Sequence, residues 1–388
     1  MSGRNLAAAL PVERVRAWMQ DVALPLWLST GLDPVHGGFE EALALTGARI
    51  PGLAKRVRVQ ARQIYVMSHA ALLGWSTDRT LAAARKGYDF LMAHAVHSEG
   101  GFVHLLEPGG AVRDAKRDAY DHAFILLAMA WFYRASKEPA ALQCADRVLG
   151  FIDAKLAQAD GSVLESLPPA PPRRQNPHMH LFEAMLSLYD ATADQRFLER
   201  AQRIFHLFTT RFFDTKRGVL VEFFDEAWRP LPAPAGDIIE PGHHCEWVWL
   251  LDKYERLSGV ETGRARRALI DFALAHGRDP KTGLLVDEVG PDGRMLKPSM
   301  RCWPQTEALK ATLVFLERGE DWAAGEAARF AEGLLDRYCA VTPAGLWQDQ
   351  FSPDGAPLTQ NVPASTYYHL FLAFAELLRV AGGLSTAR

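Results

Sequence analysis

Six short segments of one kind recur along the chain: GGFEEAL from Gly37, GGFVHLLEPGGA from Gly100, GSVLESL from Gly161, GVLVEFFDEAWRP from Gly218, GLLVDEVGPDGRML from Gly283 and GLWQDQFSPDGAPL from Gly345. Each opens on glycine and alternates apolar residues for a few positions, and the later copies end in turn chemistry such as Pro-Asp-Gly. A recurrence of roughly 60 residues is the mark of a repeat architecture. Amphipathic helical patterns lie between the segments, usually in pairs. DAYDHAFILLAMAWFYRAS is followed by PAALQCADRVLGFIDAKLA, and CEWVWLLDKYERLSG by ETGRARRALIDFALAHG. The pattern predicts about twelve helices in six hairpins and no long sheet. The expected fold is therefore all-α, an (α/α)6 barrel of inner and outer helices with short β-hairpin-like loops at one end. One catalytic domain would span residues 1–388. Periodicity alone leaves an open superhelix as the alternative.

Composition narrows the function classes. The 388 residues are 48% hydrophobic and carry a formal net charge of −3, so neither a basic nucleic-acid footprint nor a strong steering field is expected. The first 30 residues contain Glu13 and Asp21 and lack the apolar run of a signal peptide or membrane span, which predicts a cytoplasmic chain with no membrane partner. Cys144, Cys245, Cys302 and Cys339 form no Cys-x-x-Cys pair and read as buried free thiols.

The repeat also says where a site belongs. Arg62, Tyr120, His180, His243, Trp303 and His369 fall near the start of the first helix in successive hairpins. If those helices are parallel inner staves, the six side chains converge on one mouth. In EPGHHCEW, His243 and Glu246 stand at i, i+3 on one face, so the carboxylate could orient the imidazole, while His244 points elsewhere. In RQNPHMHLFEA, His180 and Glu183 repeat that spacing with Asn176 one turn upstream, and His178 faces away. In PASTYYHLF, Ser365 or Thr366 is expected to cap a helix that carries His369 in its first turn. Arg58 and Arg62 share a face, as a buried contact to an anion or polar ligand would need. Trp303 and Glu307 supply an aromatic platform and a carboxylate of the kind sugar sites use.

Other chemistries lack their residues. There is no His-Glu-x-x-His pair, no Gly-x-Ser-x-Gly elbow, no phosphate-cradling glycine loop and no dinucleotide fingerprint, so no metal and no cofactor is expected. A glycosidase could draw on Glu246 and Glu307 but would leave the histidines idle. Histidines near neutral pKa suit proton abstraction next to a carbonyl, with arginine on the developing enediolate oxygen.

The motifs RVQARQIY, YDHAFILLA, NPHMHLFEA, EPGHHCEW, RCWPQTEALKA and PASTYYHLF, in this order over nearly the whole chain, resemble the N-acylglucosamine 2-epimerase superfamily. WPQTEALKA and PASTYYHLF most resemble its D-mannose isomerase branch. The resemblance implies acid–base roles for His243 and His369, in either assignment. It implies an enediolate-holding role for Arg62 and sugar contacts from His180, Asn176, Trp303 and Gln305, with Glu307 after them. Tyr120 and Arg58 join the expected substrate-binding set, and Glu246 joins the catalytic one as the group orienting His243. The implied activity is metal-independent interconversion of D-mannose and D-fructose through a cis-enediol. The alternative is 2-epimerisation of N-acylglucosamine, a free hexose or a disaccharide. A phosphorylated substrate would call on Arg58, Arg173 or Arg174. The partner is a monosaccharide, and the chain is expected as a monomer or homodimer.

Overall fold

The computed structural model describes residues 10–386. An opening helix, α1, runs Val12–Ala17, passes through a π-helical turn at Trp18–Ala23 and continues as Leu24–Ser29. Helical hairpins follow: α2 (Val57–Leu72) with α3 (Thr77–His94), α4 (Ala119–Ser136) with α5 (Pro139–Phe151), and α6 (Asn176–Thr192) with α7 (Gln195–Leu207). Next come α8 (Pro241–Ser258) with α9 (Gly263–His276), and α10 (Cys302–Glu317) with α11 (Trp322–Gly333). The last helix, α12 (Ala364–Thr386), packs on α1 and completes the sixth pair.

The sequence of each helix decides its layer. From Asp121 to Ala130, α4 is buried without a break, and a helix that is apolar all round must be enclosed on every side. By contrast α7 buries one stripe, Phe197, Leu198, Ala201, Ile204 and Leu207, and turns Arg196, Glu199 and Arg200 outward. Even-numbered helices are thus the inner staves and odd-numbered ones the outer layer. Each inner helix packs on the next, and α12 packs back on α2, so the barrel is closed.

The strands are short and confined to the connections that lead into inner helices. Some form local hairpins, such as Glu288–Val289 with Met295–Lys297. Others join one repeat to the next. Lys55–Arg56 pairs with Leu105–Leu106, Arg117–Asp118 with Ser166–Leu167, and Arg173–Arg174 with Phe223–Phe224. Ile239 bridges Val289, Met300–Arg301 pairs with Gln350–Phe351, and Asn361–Pro363 returns to Ala42–Ala44 in the first repeat. These antiparallel pairings form a closed collar around the end where the inner helices begin.

The six glycine-led loops hold a common register. Two residues after Gly37, Gly100, Gly161, Gly218 and Gly283, the backbone N–H of Phe39, Phe102, Val163, Leu220 and Leu285 donates to Gln60, His122, His178, His244 and Gln305. These clamps sit in the first turns of five inner helices and satisfy a buried donor that would otherwise go unpaired. The clamp forces glycine nearby: at Gly101, with φ +77°, a Cβ would lie 2.8 Å from His122 Nε2. Four residues after the leading glycine comes a polar side chain that ties down the next inner helix. Glu41 holds Arg56, His104 holds Asp121, Glu165 holds Arg174, Glu222 holds His243, Asp287 holds Arg301 and Asp349 holds Thr366.

One expected cap is absent. α12 begins at Ala364 directly from the strand Asn361–Pro363, so Ser365 and Thr366 lie inside its first turn, and the Thr366 hydroxyl donates to Asp349 at 2.5 Å. The stretch PPAPPRRQNP is anchored by its Arg173–Arg174 pairing and by the Arg174–Glu165 ion pair. Among the described residues, no helix is long and apolar enough to cross a membrane.

Candidate active site

Adjacent histidines divide into two kinds. His178 and His244 are clamps: Nε2 accepts a loop N–H, and the Nδ1 of His178 donates to the Arg174 carbonyl. Burial lowers them to about 4 and about 3, and a clamp that must accept at Nε2 has to be neutral. His180 and His243 instead pair with carboxylates at the barrel mouth.

His243 Nδ1 lies 3.0 Å from Glu222 Oε2 and 3.9 Å from Glu240 Oε1. Burial pulls its pKa down, but Glu222 and Glu240 outweigh burial and raise it to about 9. The expected partner, Glu246, does not make this hydrogen bond: the loop acid Glu222 reaches the imidazole first, and Glu246 points across the barrel to lie 3.9 Å from His180 Nε2. Glu222 Oε2 also accepts from Gln175, whose Oε1 accepts from the Trp247 indole, so the acid is held from two sides.

His369 Nδ1 meets Glu307 Oε1 at 2.8 Å, and the other Glu307 oxygen is 2.6 Å from Lys310 Nζ. Burial, reinforced by the positive charges of Arg62 and Lys310, pushes His369 well below the usual histidine range and leaves it neutral. The two catalytic candidates therefore differ in charge. The Trp303 ring stands between them, its centroid 5.1 Å from His243 and 5.8 Å from His369. Gly242 allows this, because a Cβ there would lie 2.6 Å from the indole.

Arg62 donates to the Tyr120 hydroxyl at 2.8 Å and to the Ser365 carbonyl at 3.3 Å, and its guanidinium lies 4.1 Å over the Phe124 ring. Its buried Nε has no partner. Tyr120 packs edge-on against His180, and His180 Nδ1 hydrogen-bonds Glu183, which also accepts from Tyr368. Burial holds His180 down to about 4, so it is a neutral donor to a charged Glu183. Asn176 opens α6 with a buried Oδ1 that no protein group engages. Arg58 is tied to Asp121 at 3.2 Å.

Gln305 corrects an expectation. Its amide exchanges two hydrogen bonds with the Leu285 backbone and is fully buried, so the clamp role consumes it and leaves nothing for a sugar. Glu222, Lys310 and Tyr368 went unrecognised in the sequence. For Glu222 a signal existed: aligning the six loops on their leading glycine puts a carboxylate at the fourth following residue in five of them.

Ligand atoms of His180, Glu183 and Glu246, of Glu222, Glu240 and His243, and of Glu246, Glu307 and His369 come within 4.8 Å of one another and could hold a cation. In each group the histidine Nδ1 is already spent on a carboxylate, and in the third Lys310 supplies the positive charge.

Residues 37–373 match the family model for N-acylglucosamine 2-epimerase (GlcNAc 2-epimerase). The mannose-6-phosphate isomerase of Rhizobium meliloti (strain 1021) is 35% identical over 377 residues, which cover 95% of this chain and 97% of that one. The D-mannose isomerase of Thermobifida fusca is 29% identical, covering 88% of each chain. In fold, the structure of cellobiose 2-epimerase from Spirochaeta thermophila DSM 6192 matches with a TM-score of 0.85 at 23% identity, over 96% of this chain and 97% of that one. The chain belongs to the N-acylglucosamine 2-epimerase family of (α/α)6 barrels. It is a sugar isomerase or 2-epimerase.

Proposed function

We propose that this protein is a metal-independent aldose–ketose isomerase interconverting D-mannose and D-fructose. The observation that carries the reading is the pair of histidines across Trp303, each fixed at Nδ1 by a different carboxylate, so that each presents Nε2 to the mouth in a different protonation state. Charged His243 is suited to protonate the ring oxygen and open the sugar. Neutral His369 is suited to take the C2 proton and return it at C1, since a general base must be unprotonated and within reach of the proton it removes. Arg62 holds the enediolate oxygen, where a guanidinium in a dry site is worth most. Tyr120, His180 and Asn176 bind hydroxyls, and Trp303 offers its ring.

An unphosphorylated substrate is supported by how the arginines near the mouth are spent. Arg56, Arg58, Arg174 and Arg301 each hold a carboxylate, and Arg173 is 3.9 Å from Asp160. A phosphate would have to displace one of those acids.

The test is proton NMR of EDTA-treated protein with D-mannose in D2O, beside mannose 6-phosphate. Fructose from the free sugar is the expected product. Glucose as the first product would make the protein a 2-epimerase, and turnover of the phosphate ester alone would overturn the substrate assignment.

A further inference from the structure

Moving the double bond of an aldose to a ketose takes one more proton than the two histidines handle. When the C2 proton leaves, the electron pair forms C1=C2 and the carbonyl pair settles on O1, while O2 keeps its hydrogen. To emerge as a ketose, the cis-enediol must give up the O2 proton and gain one on O1. A group that performs this exchange needs a donor and an acceptor side by side and no net charge.

Three buried carboxyl side chains, Glu183, Glu246 and Glu307, share the base of the mouth with one ammonium, Lys310. Two are committed. Glu183 accepts from His180 and from Tyr368, and Glu307 accepts from His369 and faces Lys310. Glu246 is not committed: it is 2% exposed, and its Oε1 has no hydrogen-bond partner. It is also at the right depth. Arg62, Glu246, Glu307 and His369 are each the sixth residue of their inner helix, counted from Val57, Pro241, Cys302 and Ala364. Parallel staves place them at one level around the axis. We propose that Glu246, as a neutral carboxylic acid, is the catalytic residue that exchanges the hydroxyl proton between O2 and O1 of the enediol, and this rests on the isomerase reading above.

In this step the Glu246 O–H bond breaks as the proton passes to O1, and the other carboxyl oxygen takes the proton of O2. The acid ends as it began, with its oxygens exchanged in role. The charge moves from O1 to O2, C2=O2 forms, and C1 accepts the proton held by His369. No other reactant is required. The environment keeps the group in the form the step needs: burial raises the Glu246 pKa well above the carboxylate range, the charges of Glu307 and Glu183 add to this, and Lys310 and His243 oppose it.

The experiment follows Glu246→Gln, which keeps shape and neutrality, with D-mannose in D2O by NMR. The expected result is that fructose formation drops by about 10²-fold or more while deuterium still enters C2 of mannose, because the enediolate forms and can only return. His369→Ala, the control, should lose the exchange as well. Fructose formed by Glu246→Gln at near the wild-type rate would overturn the proposal. So would loss of C2 exchange together with fructose formation in a variant whose circular dichroism is unchanged. If the wild-type protein itself makes no fructose, the isomerase reading fails first, and that outcome is distinct from either.

Discussion

Glu222 Oε2 and His243 Nδ1 are 3.0 Å apart, and both side chains are buried. The loop acid therefore sets the charge of the histidine at neutral pH. His243 is faced by Glu222, Glu240 and Glu246, with Arg301 drawn off by Glu240 and Asp287. An acid with a pKa of about 9 is active below that value, so turnover should be flat through neutrality and decline as pH rises through about 9. Glu222→Gln removes the nearest negative charge and should move the decline to lower pH. A decline that stays in place would mean His243 is not the acid, and a simple packing role for Glu222 would lower the rate without moving it.

Gly242 tests the position of the indole. Its Cβ in Gly242→Ala would sit 2.6 Å from Trp303 and 3.0 Å from Pro304, so the ring must shift between the two histidines. A displacement near 1 Å at a reacting centre costs about 10²-fold. We expect kcat/KM to fall by that order while the helical circular dichroism and Tm change little.

The clamp residues should be interchangeable by function rather than by type. Gln60 and Gln305 do in α2 and α10 what His122 does in α4. His122→Gln should fold with nearly native stability. His122→Ala leaves the buried Phe102 N–H unpaired and should cost about 1–3 kcal/mol. Urea unfolding of the pair measures both, and equal losses would show that the hydrogen bond is not what the site requires.

Lys310 and Glu307 are both fully buried, 2.6 Å apart. Lys310→Met removes one partner and strands a buried carboxylate, which should destabilise the protein by about 3–5 kcal/mol. Lys310→Met combined with Glu307→Gln should recover much of that stability but not activity, since His369 then loses a charged acceptor. Thermal denaturation of the single and double variants distinguishes the two effects.

Much of the barrel could be read because helix layers leave a plain record: the continuous apolar run of α4 and the single stripe of α7 mark inner and outer positions without any long-range information. The mouth was legible for the same reason, since Arg62, His180, His243 and His369 all fall in the first two turns of inner helices, although it is Glu246, three residues after His243, that stands at the depth of Arg62 and His369. What escaped was pairing across the fold. Glu246 stands at i, i+3 from His243, yet the bond goes to Glu222, which is 21 residues away on a loop. Gln305 carries no mark in the sequence that separates a sugar contact from a backbone clamp; only the position of Leu285 decides it. Helical spacing predicts which side chains share a face, and it is silent on which loop arrives there.

The two ends of the barrel are fastened by different kinds of contact. Every strand pairing between repeats lies at the end where the inner helices begin, while the connections from inner to outer helices carry no strand among the described residues. That far end instead surrounds a cavity of about 480 Å3, lined by His69, Trp131, Asp190, Lys253 and Glu376. The barrel is laced by backbone at the mouth and by side chains at the far rim, where Arg134 pairs with Asp190, Arg256 and Arg379 with Glu317, and Trp249 with Glu376. A backbone pairing survives most side-chain substitutions and an ion pair does not, so sequence change can rewire the ties of the far rim while the collar keeps the proton-transferring groups in their spacing.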